Sequence, residues 1–349
     1  MDCRTCFLVD DKGRVLFARG AGRPYPNAST TKMVTALVVA ERTQGDEKVV
    51  VSATAEEVPG GKLSLYAGEE WSVDELLKAL LMSSSNDAAV ALAEHVAGTE
   101  RAFVELMNEK AASLGALQSS FVTSHGLDQP GHHASARDLA LFADELLAQE
   151  RLAPIVGSRT AVIASPPRRE RLENTNLLLE GYRGATGVKT GFTALAGNVL
   201  VASAERQGRR LIAVAMGSPD PLADSRELLD AGFASLRRTV LLGADEILGA
   251  LVSGTGASVT VAAALDVRGM TDPDRIVTRF EPGDVTLPVR TGDSVGHVEV
   301  LADGTLIASV PAVARSNAAA SAAPGWIAEM LATVLRSAAD LIPGEDGPQ

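Results

Sequence analysis

Three short groups of residues could carry out nucleophilic chemistry together: Ser29-x-x-Lys32, Ser84-Ser85-Asn86 and Lys189-Thr190-Gly191. A serine hydroxyl attacks a carbonyl only with a base beside it. Ser29 and Lys32 are three positions apart, which puts them on one face if the segment is helical. A free lysine has a pKa of about 10.4 and is charged at neutral pH. Burial in an apolar helix and a second cation at Lys189 would both favour the neutral amine. The field at a helix N-terminus would favour negative charge developing on Ser29. Ser84 is placed to relay a proton between Lys32 and a leaving amine, and Asn86 offers an amide to hold a substrate backbone. Lys189 and Thr190 offer a cation and a hydroxyl to a terminal carboxylate. Gly191, without a side chain, lets an extended peptide approach its strand and pair with it. Each group alone has a plainer reading: a helix cap at Ser29, a helix start at Asn86, and a strand end with a bulge glycine at Gly191. No Ser-His-Asp arrangement is evident. His125, His132 and His133 fall in a loop punctuated by Gly and Pro and read as structural.

The elements that must position these groups follow from pattern. Pro24 and Pro26 keep the approach to Ser29 extended, and the run after it reads as a helix ending near Gly45. Met33, Val34, Ala36, Leu37, Val38, Val39 and Ala40 make that helix apolar on nearly every side, so it is expected in the core. Ser72 with Glu75 forms a capping-box signature for a helix to about Met82, broken by Ser83-Ser84-Ser85. Further helices are expected over 87–97, 100–114, 135–149 and 224–237, with 121–134 a loop and 151–186 irregular. Strands are expected at 5–9 and 14–18, joined by Asp-Asp-Lys-Gly, and at 186–192, 198–204 and 210–216. Strands at both ends and helices between them suggest one mainly antiparallel sheet with helices packed around it, an α+β domain over 1–238. Residues 239–315 read as a small β domain, with strand-like runs at 258–267, 275–280, 285–290, 294–301 and 305–314; His297 there reads as a surface strand residue. Residues 316–325 read as a linker, and Trp326–Ile342 as an amphipathic helix within a final segment 316–349. That helix has two readings, a membrane surface or its own protein.

With 349 residues the chain can bury a large core. A net charge of −12 argues against sequence-independent nucleic-acid binding. Cys3 and Cys6 are the only cysteines; no second pair or finger-spaced His follows, and within a strand their Cα atoms would stand too far apart for a disulfide, so both are expected as buried thiols. No ligand set for a metal is evident, and the chemistry sketched above needs no metal or cofactor. The first residues show no basic region followed by an apolar run, hence no visible signal peptide, and no apolar run is long enough for a spanning helix.

The three motifs, in this order, are those of the penicillin-recognising serine enzymes. The chain resembles the D-alanyl-D-alanine carboxypeptidases of the low-molecular-mass penicillin-binding protein family over most of its length. The likeness extends to Asp10–Leu16, His125-Gly126-Leu127, His132–Asp138 and Asn174-Thr175-Asn176-Leu177-Leu178. It also takes in the β domain and the terminal helix. It implies a β-lactamase/transpeptidase-like first domain and removal of the terminal D-alanine from peptidoglycan stem peptides through an acyl-enzyme on Ser29. It further implies Lys32 and Ser84 as catalytic partners, Asn86, Lys189, Thr190, Gly191 and Phe192 as substrate-binding residues, and the backbone N–H groups of Ser29 and Phe192 as an oxyanion hole. β-Lactams would act as inhibitors, and the location would be the extracytoplasmic face of the cell envelope. Two alternatives stand beside this. A serine β-lactamase would use a Glu in deacylation, and Glu170-x-x-x-Asn174 superficially resembles that pairing, but it lies too close before Lys189. A non-catalytic binder of cell-wall peptides would not need every motif residue.

Overall fold

The computed structural model describes residues 1–236, 239–253, 257–269, 276–302, 304–319 and 326–327. The chain divides into two compact units, Met1–Ser235 and Leu236–Gln349.

The first unit begins with the hairpin β1 (Thr5–Asp10) and β2 (Val15–Arg19). A 3-10 turn over Ala28–Thr31 then leads into α1 (Lys32–Arg42). After β3 (Lys48–Val50), α2 (Ala53–Glu57) and β4 (Glu70–Ser72) come α3 (Val73–Met82), α4 (Asn86–Ala97), α5 (Glu100–Ser113) and α6 (Ala136–Ala148). Next are α7 (Ala153–Gly157), the hairpin β5 (Thr160–Ser165) and β6 (Arg168–Glu173), and α8 (Leu178–Gly181). The unit closes with β7 (Ala185–Thr193), β8 (Gly197–Arg206), β9 (Arg209–Ser218) and α9 (Pro221–Ser235). The five-stranded sheet runs β2-β1-β9-β8-β7, antiparallel at every pair. This is the expected α+β arrangement, and it leaves β7, the strand of Lys189, on a sheet edge.

The helix boundaries follow their caps. The side chains of Ser72, Thr99 and Ser135 accept from the N–H groups of Glu75, Ala102 and Asp138, at 3.3, 3.2 and 3.1 Å. Each satisfies a donor that the first helical turn cannot. Gly98 ends α4 in the left-handed region at φ 77°, which costs glycine little. Every residue of α1 from Lys32 to Val39 is buried, as its all-round apolar pattern implies.

Two expectations for this unit are corrected. Cys3 and Cys6 form a disulfide. The strand starts only at Thr5, so Cys3 lies outside the extended segment and the Cα atoms are 6.0 Å apart, within bridging range. Residues 151–186 are not irregular but hold α7, the β5–β6 hairpin and α8. Strand β6 escapes a hydrophobic pattern because Leu172 is its only apolar residue. It is held instead through Arg168, whose guanidinium donates to Glu69 at 3.0 Å and lies 5.5 Å from the Trp71 ring centroid.

Among the described residues the second unit is all β. Its strands are β10 (Thr239–Leu242), β11 (Ile247–Ser253), β12 (Ser258–Ala263), β13 (Val267–Gly269), β14 (Ile276–Pro282), β15 (Ser294–Ala302), β16 (Thr305–Ala314) and β17 (Trp326–Ile327). Six form a sheet in the order β14-β15-β16-β12-β11-β17, and β10 pairs with β13. Val259, Val261, Val298, Val300, Ala312 and Ala314 are in its core. His297 is exposed on β15, as expected. The run at 285–290 is not a strand: Val289 makes one bridge, to Ala318, and the neighbouring Pro288 has no N–H for a ladder. Trp326 and Ile327, expected to open a helix, pair as a short strand with Ser253 and Val252. The rest of that expected helix lies outside the described residues. Among the described residues no helix is long and apolar enough to cross a membrane.

Candidate active site

Lys32 is fully buried at the first position of α1. Its Nζ lies 2.9 Å from Ser29 Oγ, 2.7 Å from Asn86 Oδ1 and 2.8 Å from the His125 carbonyl oxygen. Burial, and then the charge of Lys189, hold its pKa well below the ordinary lysine value, against the opposing pull of Asp87. A neutral amine has two N–H donors and one lone pair. Asn86 Oδ1 and the His125 carbonyl can only accept, so they take both hydrogens. In that neutral state the lone pair would face the Ser29 hydroxyl, 2.9 Å away, which could then donate to it. The Asn86 carboxamide is oriented from behind, since its Nδ2 donates to the Pro59 carbonyl at 2.7 Å.

The turn that carries Ser29 is fixed independently of Lys32. Asn27 Nδ2 donates to Thr31 Oγ1 at 2.8 Å, and Thr31 donates to the Ala28 carbonyl at 2.8 Å. The Val122 N–H donates to His132 Nδ1 at 3.1 Å, so the ring proton is on Nε2 and is donated to Thr31 Oγ1 at 2.8 Å. Burial, with His125 and His133 nearby and Asp128 opposing, brings the His132 pKa down to about 4, consistent with a neutral ring. His125 is likewise lowered to about 4, by burial first and Lys32 after it, with Glu100 opposing. Gly126, at φ 87°, packs backbone to backbone on this turn; a Cβ there would overlap the Ala28 carbonyl.

Lys189 lies on β7, 1% exposed, with its Nζ donating to the Thr190 carbonyl at 3.2 Å. Burial lowers its pKa to about 7. The hydroxyls of Thr190 and Thr175 are 2.7 Å apart. Gly191 runs against the nucleophile's turn: a Cβ there would stand 3.0 Å from the Ser29 nitrogen and 3.1 Å from Ala28 Cβ. Phe192 follows, 69% exposed.

The structure thus joins Ser29, Lys32 and Asn86 by direct hydrogen bonds, Lys189 to Lys32 through charge, and Gly191 to Ser29 by backbone proximity. Ser84 sits in the linker between α3 and α4 at φ 62°, a backbone state uncommon for a non-glycine residue. Among the described residues its hydroxyl makes no hydrogen bond. Glu170 is on β6, where it accepts from Arg168 at 3.1 Å. Sequence reasoning treated His125 as structural and missed that its carbonyl holds the lysine; a backbone atom carries no side-chain signature, and the one local signal was Gly126. Among the described residues no group of His, Cys, Asp and Glu could hold a metal ion.

With this geometry in view, comparisons with known proteins converge. A family model described as D-alanyl-D-alanine carboxypeptidase matches residues 1–220. The chain is 30% identical over 333 residues to D-alanyl-D-alanine carboxypeptidase DacF of Bacillus subtilis, covering 90% of this chain and 86% of that one. It is 30% identical over 348 residues to DacC of Escherichia coli, covering 91% and 84%. Among solved structures, penicillin binding protein 5 from Haemophilus influenzae superposes with a TM-score of 0.64 at 29% identity, covering 92% of this chain and 98% of that one.

Proposed function

Because the chain belongs to the D-alanyl-D-alanine carboxypeptidase family, we propose that Ser29 is its nucleophile, Lys32 the general base and Ser84 the proton relay. The protein is a serine-type D-Ala-D-Ala carboxypeptidase. Its family implies peptidoglycan peptide substrates, penicillin binding and a cell-envelope location. The chemistry is assigned to residues 1–238; residues 239–315 are a separate β domain with no part in bond cleavage.

The neutral Lys32 amine takes the Ser29 proton as Oγ bonds to the carbonyl carbon of the penultimate D-alanine. The resulting ammonium has three N–H groups and three acceptors in place: Asn86 Oδ1, the His125 carbonyl and Ser29 Oγ. The developing oxyanion is met by the N–H groups of Ser29 and Phe192. When the C–N bond breaks, Ser84 passes a proton from Lys32 to the departing D-alanine nitrogen. Water then repeats the sequence on the ester and frees Ser29. Lys189 and Thr190 hold the C-terminal carboxylate, and a bound anion stabilises the Lys189 cation. The peptide pairs with the open edge of β7, where Gly191 lets it pass. Asn86 both orients Lys32 and retains one Nδ2 hydrogen for the substrate backbone. β-Lactams acylate the same serine.

The observation that carries this reading is the buried Lys32 Nζ, in hydrogen-bond contact with Asn86 Oδ1, the His125 carbonyl and Ser29 Oγ. The test is D-alanine release from a peptide ending in D-Ala-D-Ala, together with the mass of the benzylpenicillin adduct. Wild-type protein is expected to release D-alanine and gain one adduct on Ser29, and Ser29→Ala to do neither. Peptide binding without release would make the protein a binder, and rapid penicillin turnover would make it a lactamase.

A further inference from the structure

The loop 123–128 touches the site in three places. Its His125 carbonyl accepts from Lys32 at 2.8 Å, and its Gly126 packs on the Ala28 carbonyl ahead of Ser29. The third contact belongs to Asp128, which has no role in the mechanism above. Asp128 Oδ1 accepts from the Thr193 hydroxyl at 2.7 Å, and Oδ2 accepts from the Leu195 N–H at 3.2 Å. Thr193 Oγ1 in turn accepts from the Ala196 N–H at 3.1 Å. The carboxylate therefore grips the β7–β8 turn immediately after Phe192. The loop is rigid at its other end: Ser124 donates from both N and Oγ to Glu100, at 2.8 and 2.6 Å, and its carbonyl accepts from Thr35 at 2.6 Å.

We infer that Asp128 is a positioning residue that holds the Phe192 end of β7 in register with Ser29, so that the two backbone N–H groups converge on one oxyanion. The inference rests on the function proposed above. The physical reason is that β7 is an edge strand paired with another strand on one side only; on the other side Gly191 packs against the nucleophile's turn, but the residues after it have no ladder there. Nothing in its ladder with β8 fixes how far its last residues stand from the nucleophile's turn. Asp128 supplies that constraint from the same loop that aims Lys32, which ties the base and the oxyanion donors to one reference. Oxyanion stabilisation depends on donors placed within a few tenths of an ångström of the charged oxygen, so a loosened turn reduces transition-state binding more than substrate binding.

The test compares full-length Asp128→Ala, Asp128→Asn and Thr193→Val with wild type. Three quantities are measured: kcat and KM for a D-Ala-D-Ala peptide, the rate of penicillin acylation, and affinity for a D-alanyl boronic acid, whose tetrahedral Ser29 adduct mimics the oxyanion. Deleting an oxyanion donor costs about 100-fold or more, and loosening one should cost about 10- to 30-fold. Asp128→Ala is expected to lose that much in kcat, acylation rate and boronate affinity with KM changed less than twofold. Asp128→Asn is expected to fall between, because it keeps an acceptor for Thr193 but sets an amide against the Leu195 N–H. Thr193→Val is expected to show the same split in smaller measure, and Asp128→Ala with Thr193→Val together to be no worse than Asp128→Ala alone. Equal losses in kcat and KM, a fall in thermal stability with unchanged kcat, or additive effects would overturn the inference. Wild-type protein that is never acylated would instead refute the functional reading on which it stands.

Discussion

The helix side and the strand side of the site each bury a lysine, and the two are treated differently. Lys32 is surrounded by acceptors that use every hydrogen it can offer, in either protonation state. Lys189, nearly as buried, has among the described residues one hydrogen bond, to the carbonyl of the next residue. A buried lysine left with unused donors is costly unless an anion arrives. The contrast teaches that burial alone does not give a lysine a role. In the proposed mechanism, the completed shell suits Lys32 to act as the base, and the incomplete one suits Lys189 to receive a carboxylate.

The comparison can be broken first at Lys32. Lys32→Met should lower the rate of penicillin acylation by about 10²- to 10⁴-fold, the usual range for losing a general base, while the protein still binds peptide. A loss under tenfold would mean that another group takes the proton. Lys189→Met should instead raise KM for a peptide with a free C-terminal carboxylate by about 10- to 100-fold, the worth of a charge-assisted hydrogen bond, and leave a C-terminal amide analogue little affected. Equal effects on both peptides would remove the receptor role.

Changes in pH sharpen the same contrast. In the proposed mechanism Lys32 works as the neutral amine, so acylation should fall as pH drops through its lowered pKa. Removing the Lys189 charge raises that pKa, so the acid limb of the rate profile should move to higher pH in Lys189→Met. Lys189 itself loses its proton near pH 7, so KM for the free-carboxylate peptide should rise above that pH, with proton uptake on binding visible by calorimetry. Unfolded, Lys189 holds its proton up to about pH 10.4. Between the two pKa values the unfolded chain binds more protons, so stability should increase with pH across that window, and Lys189→Met should flatten the increase.

Smaller effects are expected where neither lysine is touched. Thr31→Val strands the buried Nε2–H of His132 and should cost about 1–3 kcal/mol in urea unfolding, with a modest loss of acylation rate. Replacing Cys3 and Cys6 by serine opens a very short loop and should cost no more than about 2 kcal/mol, with acylation unchanged within twofold. A large activity loss there would show that the N-terminal segment reaches the site.

Much of the first unit was legible in order and type. The apolar run 33–40, the Ser72–Glu75 box and the stop at Gly98 are local signals, and the elements they mark are present. What was misread depended on a distant partner in one case and on a strand boundary in the other. The β6 strand reads as a charged loop until Trp71 and Glu69 are placed under Arg168, and the cysteine pair reads as free until the strand start at Thr5 is known.

Residue order alone determined which side chains could react and that Ser29 and Lys32 would meet, because three positions on a helical turn bring two side chains together whatever surrounds them. Tertiary structure decided the state of the lysine and the company it keeps. The Asn86 amide, the His125 carbonyl and the Lys189 charge come from separate segments of the chain. Proton affinity depends on such through-space neighbours, and chain connectivity does not encode them.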